Sequence, residues 1–256
     1  MEINKIYNED CIIGMSRLPD NSVDCIICDL PFGITQCGWD VVIPFGPMWE
    51  QINRVKKPDA AVVLFGVEPF SSKLRLSNIS NFRYDLIWNK RRPTGQLNAK
   101  KRPLSQHEVI SLFYDKQCTY NPIMHANRLK RDFIGTVDKS NKRSENYGKQ
   151  YDYRSNITNQ SLSYPRSIIE QTAVIGNSNE KVNHPTQKPV ALIEYLIKTF
   201  SNENDTVLDF CIGSGTTAVA AINTSRNFIG FETDKTYYQI ACDRIREALR
   251  EPKLAI

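Results

Sequence analysis

The chain reads Asp209-Phe210-Cys211-Ile212-Gly213-Ser214-Gly215-Thr216-Thr217 directly after an apolar segment at 206–208. This order of residues predicts a strand, a tight glycine turn and the start of a helix. Near the amino end, Asp29-Leu30-Pro31-Phe32 closes a second apolar run at 23–28, so an acid, a proline and an aromatic ring fall at the carboxyl end of another strand. Open α/β sheets bind ligands at that edge, and the two motifs therefore predict two half-sites that face each other.

Apolar segments alternate with helical stripes on both sides of a polar middle region. The patterns predict strands at 3–7, 23–28, 60–65, 85–88, 109–114, 206–209 and 228–231, and helices at 12–18, 49–55, 70–76, 190–200, 216–223 and 236–249. Such alternation predicts an α/β fold whose mostly parallel sheet is covered by helices on both faces. We expect one catalytic and cofactor-binding domain from 1–115 and 185–256, interrupted by an insert at 116–184.

The composition excludes several classes of protein. The 256 residues, 41% of them hydrophobic, can form one sizeable core. No apolar run approaches the roughly 20 residues needed to cross a bilayer, and the first residues lack a charged leader, so we expect a cytoplasmic protein with no membrane partner. Seven cysteines argue against a disulfide framework. Cys25 and Cys28 point to opposite faces of a predicted strand, so we interpret them as packing residues and expect no metal site.

The basic charge is confined to the middle of the chain. Between 90 and 166 there are 16 Lys and Arg against 6 Asp and Glu, whereas the rest has 17 against 22. A solvated face is the simplest explanation of a charge run. Aromatic residues interleave with this one, however, namely Tyr114, Tyr120, Phe133, Tyr147, Tyr151, Tyr153 and Tyr164. Cations that hold phosphates and rings that stack on bases favour contact with DNA.

The glycine turn is not specific by itself. It lacks the third glycine of a dinucleotide fingerprint and the Gly-Lys-Ser/Thr ending of a triphosphate-binding loop. Glu232 stands at the end of the next predicted strand, where an acid can accept hydrogen bonds from ribose hydroxyls. The combination favours a cofactor that carries adenosine.

A third segment, His184-Pro185-Thr186-Gln187-Lys188-Pro189, completes a set of motifs. In type and order, the three resemble those of the β-class, permuted group of S-adenosylmethionine-dependent DNA amino-methyltransferases. The resemblance covers nearly the whole chain outside the insert. It implies a Rossmann-like methyltransferase fold with a circularly permuted motif order, and a target-recognition insert at 116–184. The chain departs from the family at Leu30, Phe32 and Phe210-Cys211, where the family has proline, tyrosine and Pro-Phe.

The resemblance also implies which residues bind the cofactor, S-adenosyl-L-methionine. It assigns the methionine end to Asp209, Gly213, Gly215, Thr216 and Thr217, with Phe210 and Ser214 in the same turn. It assigns the ribose to Glu232 and the adenine to Asp10, beside Cys11. Pro185, Thr186 and Lys188 close the pocket, and Asp29 adjoins it.

The catalytic residues that the resemblance implies are Asp29, Leu30, Pro31 and Phe32. Asp29 and the backbone carbonyl of Leu30 would accept both hydrogens of an exocyclic amine, while Phe32 stacks on a base swung out of the duplex. The chain contains no Pro-Cys pair, which argues against methylation of cytosine C5. Aspartate at the first position of the motif favours N6 of adenine, and N4 of cytosine stays open.

The residues expected to contact double-stranded DNA are Trp39, Lys90, Arg91, Arg92, Lys100, Lys101, Arg102, Arg128, Lys130, Arg131, Lys142 and Arg143. For 90–102 the alternative is a solvated loop, and for Trp39 it is a buried anchor. A homodimer and a cognate restriction endonuclease are candidate partners. A DNA-binding protein with a decayed site, and methylation of RNA or of a protein glutamine, remain alternative functions.

Overall fold

The computed structural model describes residues 1–35, 37–126 and 162–250, which contain one large sheet and one small one. The strands are β1 (Lys5–Tyr7), β2 (Val23–Asp29), β3 (Lys56–Gly66), β4 (Phe82–Thr94), β5 (Ser105–Phe113), β6 (His125–Ala126), β7 (Leu162–Ser163), β8 (Ile168–Glu170), β9 (Thr206–Asp209) and β10 (Asn227–Phe231). The helices are α1 (Cys11–Ser16), α2 (Phe45–Val55), α3 (Phe70–Ser77), α4 (Val190–Phe200), α5 (Thr216–Asn223) and α6 (Lys235–Arg250). Within these residues, no helix combines the length and the apolar character needed to span a membrane.

The large sheet has the strand order β1-β10-β9-β2-β3-β5-β4-β8. Every neighbouring pair is parallel except the two pairs that β5 forms with β3 and β4. From β9 the chain continues through α5 to β10 on one side, whereas from β2 it continues through α2 to β3 on the other. The boundary between β9 and β2 is therefore a topological switch point, where crevices form in open α/β sheets.

Helices cover both faces of the sheet, as the alternation of segments predicts. The core on one face joins residues of α4, α5 and α6 to Cys25, Ile27 and Val63, and the core on the other joins residues of α1, α2 and α3 to Ile26 and Cys28. Neighbouring residues of β2 thus alternate between the two cores. The interpretation of Cys25 and Cys28 as packing residues on opposite faces is confirmed.

Two differences from the predicted elements matter for the site. β4 extends to Thr94, well past the expected end at 88, because its charged residues hide the strand from an apolar pattern. β8 is too short to give a periodic signal, yet it pairs with β4 at Ile87, Trp88 and Asn89. These three positions of β4 are therefore inside the sheet rather than at its edge.

The chain divides into a large unit, residues 1–121 and 166–256, and a small unit, Pro122–Pro165. The small unit has narrower bounds than the expected insert at 116–184, because β8 and the segment after it belong to the large unit. Its described part is the antiparallel pair of β6 and β7, in which Ser163 Oγ donates to the carbonyl of His125 at 3.4 Å. Its role in target recognition stays a prediction.

Candidate active site at the carboxyl edge of the sheet

A cleft of about 1100 Å³ opens along the carboxyl edge of the parallel strands in the large unit. Asp29 and Asp209, the last residues of β2 and β9, both line it, so the switch point lies at its centre. Ligand pockets commonly measure about 300–1,000 Å³, and the cleft is therefore large enough for more than one small group. The two motifs of the sequence do meet here as predicted.

The glycine turn between β9 and α5 is fixed by its backbone. Gly213 and Gly215 have φ values of 51° and 81°, which side chains disfavour. A Cβ at Gly215 would lie 2.9 Å from Cβ of Ala241 on α6, so this glycine lets α6 pack closely. Arg244 of α6 supports the turn from below by donating to the carbonyl of Ser214 at 2.8 Å and to Oγ1 of Thr216 at 3.0 Å. The hydroxyl of Thr216 therefore faces the protein.

Two carboxylates flank this turn. Asp209 accepts from Oγ1 of Thr217 at 2.5 Å and from the N–H of Cys211 at 3.1 Å, and burial raises its pKa to about 7 despite these bonds. Glu232 accepts from the N–H of Gly213 at 2.9 Å and from that of Asp234 at 2.8 Å, and burial raises its pKa too. Both acids are rigidly held, and both are in surroundings that disfavour their negative charge.

Asp29 takes part in a row of four charged side chains that are largely shielded from solvent. Lys188 forms an ion pair with Oδ2 of Asp29, and its Nζ also lies 3.4 Å from Oε2 of Glu108. Lys90 approaches the other oxygen of Glu108, with Nζ 3.4 Å from Oε1. The row runs Lys90, Glu108, Lys188, Asp29, with alternating sign, and it starts on β4 and ends on β2.

Aromatic rings enclose the ammonium of Lys188. Its Nζ lies 5.3 Å from the ring centroid of Phe65 and 6.0 Å from that of Trp88, within the range of cation–π attraction. Burial disfavours the ammonium, but Asp29 and Glu108 outweigh it and raise the pKa of Lys188. Lys188 therefore stays charged at neutral pH.

One oxygen of the Asp29 carboxyl group lacks a hydrogen-bond donor among the described residues. This oxygen, Oδ1, is shielded from solvent. Burial raises the pKa of Asp29 to about 6, Lys188 opposes the rise, and Glu108 adds to it. A buried acceptor without a donor is unfavourable by about 1–3 kcal/mol, which an N–H of a ligand could offset.

The segment after Asp29-Leu30-Pro31-Phe32 folds around Asp40. Its carboxylate accepts from the N–H groups of Gly33, Ile34 and Thr35 at 2.8, 3.0 and 2.7 Å. Burial opposes ionisation, but these hydrogen bonds outweigh it and lower the pKa of Asp40. The motif is thus continued by a loop with a defined anchor.

An aromatic cluster stands beside this loop. The ring of Trp39 stacks on His184 at 6.1 Å, and the ring of Tyr237 meets His184 edge-on at 4.4 Å. Burial, with Lys181 and Lys188 nearby, lowers the pKa of His184 to about 4, so this imidazole is neutral at physiological pH. Trp39 is half-buried by this packing and also lines the cleft, so both its role as an anchor and its contact with DNA stay predictions.

Most of the predicted catalytic and cofactor residues are brought together. Those that line the cleft are Asp10, Cys11, Asp29, Leu30, Pro31, Phe32, Pro185, Thr186, Lys188, Asp209, Phe210, Gly213, Ser214, Thr216, Thr217 and Glu232. Gly215 lies behind the turn. Oδ1 of Asp10 caps α1 by accepting from the N–H groups of Ile12 and Ile13. Leu30 is buried, and Phe32 packs on Phe70 with the ring centroids 5.2 Å apart.

Apart from Trp39, the predicted DNA contacts are cations and divide into three groups. Lys90 is only 11% exposed and pairs with Glu108, which differs from the expected grip on a phosphate, because β4 carries this residue into the sheet. Arg91, Arg92, Lys100, Lys101 and Arg102 are exposed, and Arg91 pairs with Glu170 at 2.7 Å. Arg128, Lys130, Arg131, Lys142 and Arg143 lie outside the described residues.

The sequence reasoning missed several residues of the site, above all Glu108. Its signal was present, because Glu108 is an acid directly before the apolar end of β5, Val109 to Phe113. Asp40 and Tyr237 gave no comparable signal. His184 stands inside a quoted motif, but nothing in the sequence indicated that it would stack on Trp39.

Comparisons with known proteins identify a matching family and several similar proteins. A model of the DNA methylase family, N6_N4_Mtase, matches residues 23–243. The Type II methyltransferase M1.MboII of Moraxella bovis is 28% identical over 93% of this chain and 94% of its own length. M.BglII of Bacillus subtilis is also 28% identical, over 93% of this chain and 68% of its own length.

Two solved structures resemble the fold. The crystal structure of the M1.HpyAVI–SAM complex superposes with a TM-score of 0.60 and 25% identity, covering 94% of this chain and 98% of that one. The PvuII DNA methyltransferase, described as cytosine-N4-specific, gives a TM-score of 0.65 and 16% identity over 94% and 85% of the two chains. The second likeness, at that identity, concerns the fold alone.

Proposed function

Because the chain belongs to the DNA methylase family, whose model matches most of its length, we propose that it methylates the exocyclic N6 amine of adenine in double-stranded DNA. The family and the solved relative support a broader statement, namely that the chain is an N6/N4 DNA methyltransferase that uses S-adenosylmethionine. One observation carries the proposal: Asp29 offers an acceptor without a partner among the described residues, next to the strand that bears the glycine turn.

The residues of the cleft fit this cofactor. Asp209 is buried and Glu232 is half-buried, and burial raises both pKa values with no compensating cation beside either acid among the described residues. A Cβ at Gly213 would lie 3.1 Å from Nε2 of His184, so the glycine leaves open a gap that a side chain would fill. We assign the ribose hydroxyls to Glu232, the methionine end to Asp209 and the glycine turn, and the adenine to the entrance of α1 at Asp10.

The cofactor, when bound, supplies an activated methyl group for transfer to the nitrogen. The lone pair of an aromatic amine is delocalised into the ring, so the protein must localise it. Oδ1 of Asp29 accepts one amino hydrogen and favours a tetrahedral nitrogen. This interaction strengthens as positive charge develops on the nitrogen, and it therefore stabilises the transition state more than the bound substrate.

Asp29 is also suited to receive the proton that the methylated nitrogen must lose. Its pKa of about 6 keeps the carboxyl ionised at neutral pH, yet closer to neutrality than an ordinary aspartate. The proton passes from nitrogen to the carboxylate and then to water. No covalent bond between the protein and the base is required, since alignment of the reactants can supply roughly 7–11 kcal/mol.

The target amine is enclosed in the duplex, so the base has to swing out at an expense of a few kcal/mol. Phe32 is the ring beside Asp29 on which an extruded base can stack, while its other side rests on Phe70. The exposed basic loop, defined as residues 91–102, spans the end of β4 and the turn before β5 and provides cations for the phosphates. The homodimer and the partner endonuclease stay predictions.

The direct test is transfer of labelled methyl groups to DNA, followed by analysis of the modified nucleosides. We expect N6-methyladenine. Recovery of N4-methylcytosine instead would overturn the choice of base, which rests on aspartate at the first position of the motif. No incorporation into any DNA would favour the decayed DNA-binding protein.

The role of Asp29 is tested by Asp29→Ala. We expect at least a hundredfold lower kcat, because the acceptor of the amine is gone, with cofactor affinity nearly unchanged. Asp59→Ala is the matched control, since Asp59 is an exposed aspartate of the neighbouring strand β3. Full activity of the Asp29→Ala protein would contradict the assignment.

A further inference from the structure

Glu108 has a place in the site that the proposed reaction does not explain. It stands on β5, the one strand of the large sheet that runs against its neighbours, and its side chain is 13% exposed. Its Oε1 accepts from Nζ of Lys90 at 3.4 Å, whereas its Oε2 lies 3.4 Å from Nζ of Lys188 and makes no hydrogen bond within the described residues. An acid is rarely buried in this way unless its charge is compensated, and here two ammonium groups compensate it.

Lys188 lies between two carboxylates but is nearer to one of them. Its ion pair with Oδ2 of Asp29 is closer than its contact with Oε2 of Glu108. If Glu108 were absent, the whole charge of Lys188 would act on Asp29, and its Nζ could move to bridge both oxygens of that carboxylate. With Glu108 present, Nζ of Lys188 lies between the two carboxylates, and Oδ1 of Asp29 has no hydrogen-bond donor among the described residues.

We propose that Glu108 is a positioning residue for the methyl transfer, acting through Lys188 to leave Oδ1 of Asp29 available to the target amine and basic enough to hold it. This inference rests on the proposed function, since it assigns to Asp29 the contact with the amine. Glu108 need not touch the base. Lys90, at the far end of the row, pairs with Oε1 of Glu108 and thereby helps to fix the position of this carboxylate.

The titratable groups around Asp29 come from several packed elements. They are Lys188 ahead of α4, Glu108 on β5, Asp40 in the following loop, Asp209 on β9 and the neutral thiol of Cys28 on β2. Glu108 and Asp40 both raise the pKa of Asp29, whereas Lys188 lowers it. Removal of Glu108 therefore takes away a group that raises this pKa, and Asp29 should titrate at a lower pH.

The experiment measures that titration directly. In protein labelled with ¹³C at aspartate carboxyls, the resonance of Asp29 is identified by its absence from Asp29→Asn. We expect its midpoint near pH 6 in the unaltered protein and about one pH unit lower in Glu108→Gln. The acid limb of kcat/KM on DNA should move by the same amount, and the plateau of kcat should fall by up to about tenfold.

Two further variants keep the test decisive. Glu108→Asp retains the charge, so its midpoint and acid limb should remain near those of the unaltered protein. Glu108→Gln combined with Lys90→Met removes one charge of each sign, which protects the fold if the single variant is unstable. It should lower the midpoint in the same direction, since Glu108 is nearer to Asp29 along the row.

Glu170→Gln is the matched control, because Glu170 is an exposed acid on β8 that pairs with Arg91. In Glu170→Gln we expect no change in the Asp29 midpoint or in the acid limb of kcat/KM. An Asp29 midpoint that stays the same in both Glu108→Gln and the double variant would overturn the inference. Absence of methyl transfer by the unaltered protein would defeat the proposed function instead, and the carboxyl titration would still decide whether Glu108 raises the pKa of Asp29.

Discussion

Replacement of Asp209 by asparagine should make the protein more stable at alkaline pH while removing a group of the site. Burial raises the pKa of Asp209 from 3.8 to about 7 in the folded chain. A carboxyl group whose folded pKa is raised destabilises the fold once it must ionise. The contribution of Asp209 to stability is thus most favourable below the unfolded pKa, and it falls as the pH rises from about 4 towards 7.

The magnitude follows from this difference. About three pH units correspond to roughly 4 kcal/mol at pH 8, and to less than 2 kcal/mol at pH 5, where the folded group is mostly protonated. Asparagine cannot accept both from Thr217 and from Cys211 as the carboxylate does, which removes about 1–2 kcal/mol at either pH. The net gain should be about 2–3 kcal/mol at pH 8 and near zero at pH 5.

Urea denaturation at the two pH values measures the free energy of unfolding. The change between them, about 2.5 kcal/mol in favour of Asp209→Asn, does not depend on the hydrogen bond that asparagine cannot make. Asp243→Asn is the control, because Asp243 is exposed on α6, and it should alter the free energy by less than about 0.5 kcal/mol. An Asp209→Asn protein that is equally destabilised at both pH values would refute the reasoning that burial of charge dominates at this position.

Two further outcomes are expected. Asp40→Ala removes the acceptor of three backbone N–H groups in the loop after Phe32, which should lower the local stability of this loop by about 1–3 kcal/mol. Limited proteolysis should therefore cut the loop faster, and KM for DNA should rise. Unchanged cleavage would mean that Asp40 does not anchor the loop. Alanine at Lys100 and Lys101 should weaken binding to DNA of any sequence and reduce the slope of log K against log salt by about 1 for each phosphate that is no longer neutralised, measured between 50 and 200 mM salt. Binding with an unaltered slope would support the alternative of a solvated loop.

The sequence predicted those parts of the site that depend on local pattern. The strand at 206–209 and the helix at 216–223 have the bounds that the sequence predicted. The reason is that a buried strand, a positive φ and a helix start each favour particular residue types. The same holds for the end of β2 at Asp29. Both motifs belong to parallel strands, and parallel strands of one sheet end at a common edge.

The contacts across the sheet could not be predicted in this way. Lys188 and Asp29 are 159 residues apart, and the periodicity of a segment does not specify its neighbour in the sheet. The position of Glu108 depends on β5 lying between β3 and β4 in the opposite direction. Lys90 was grouped with the basic loop because its charge suggested solvent, whereas the pairing of β4 with β5 and β8 turns it towards Glu108.

Three acids of the cleft are in surroundings that disfavour their charge, and a cationic cofactor would explain the presence of one of them. Asp29, Asp209 and Glu232 all have raised pKa values for the same first cause, burial, and each therefore disfavours the folded chain at neutral pH. Lys188 compensates Asp29 in part, but Asp209 and Glu232 are held by neutral donors. A sulfonium cofactor bound at the glycine turn would offset the charge of Asp209, to which we assign the methionine end, and a ligand that binds only the folded state stabilises it by mass action. Relief of the electrostatic penalty at Asp209 would then contribute both to the binding energy and to the selectivity for a charged cofactor.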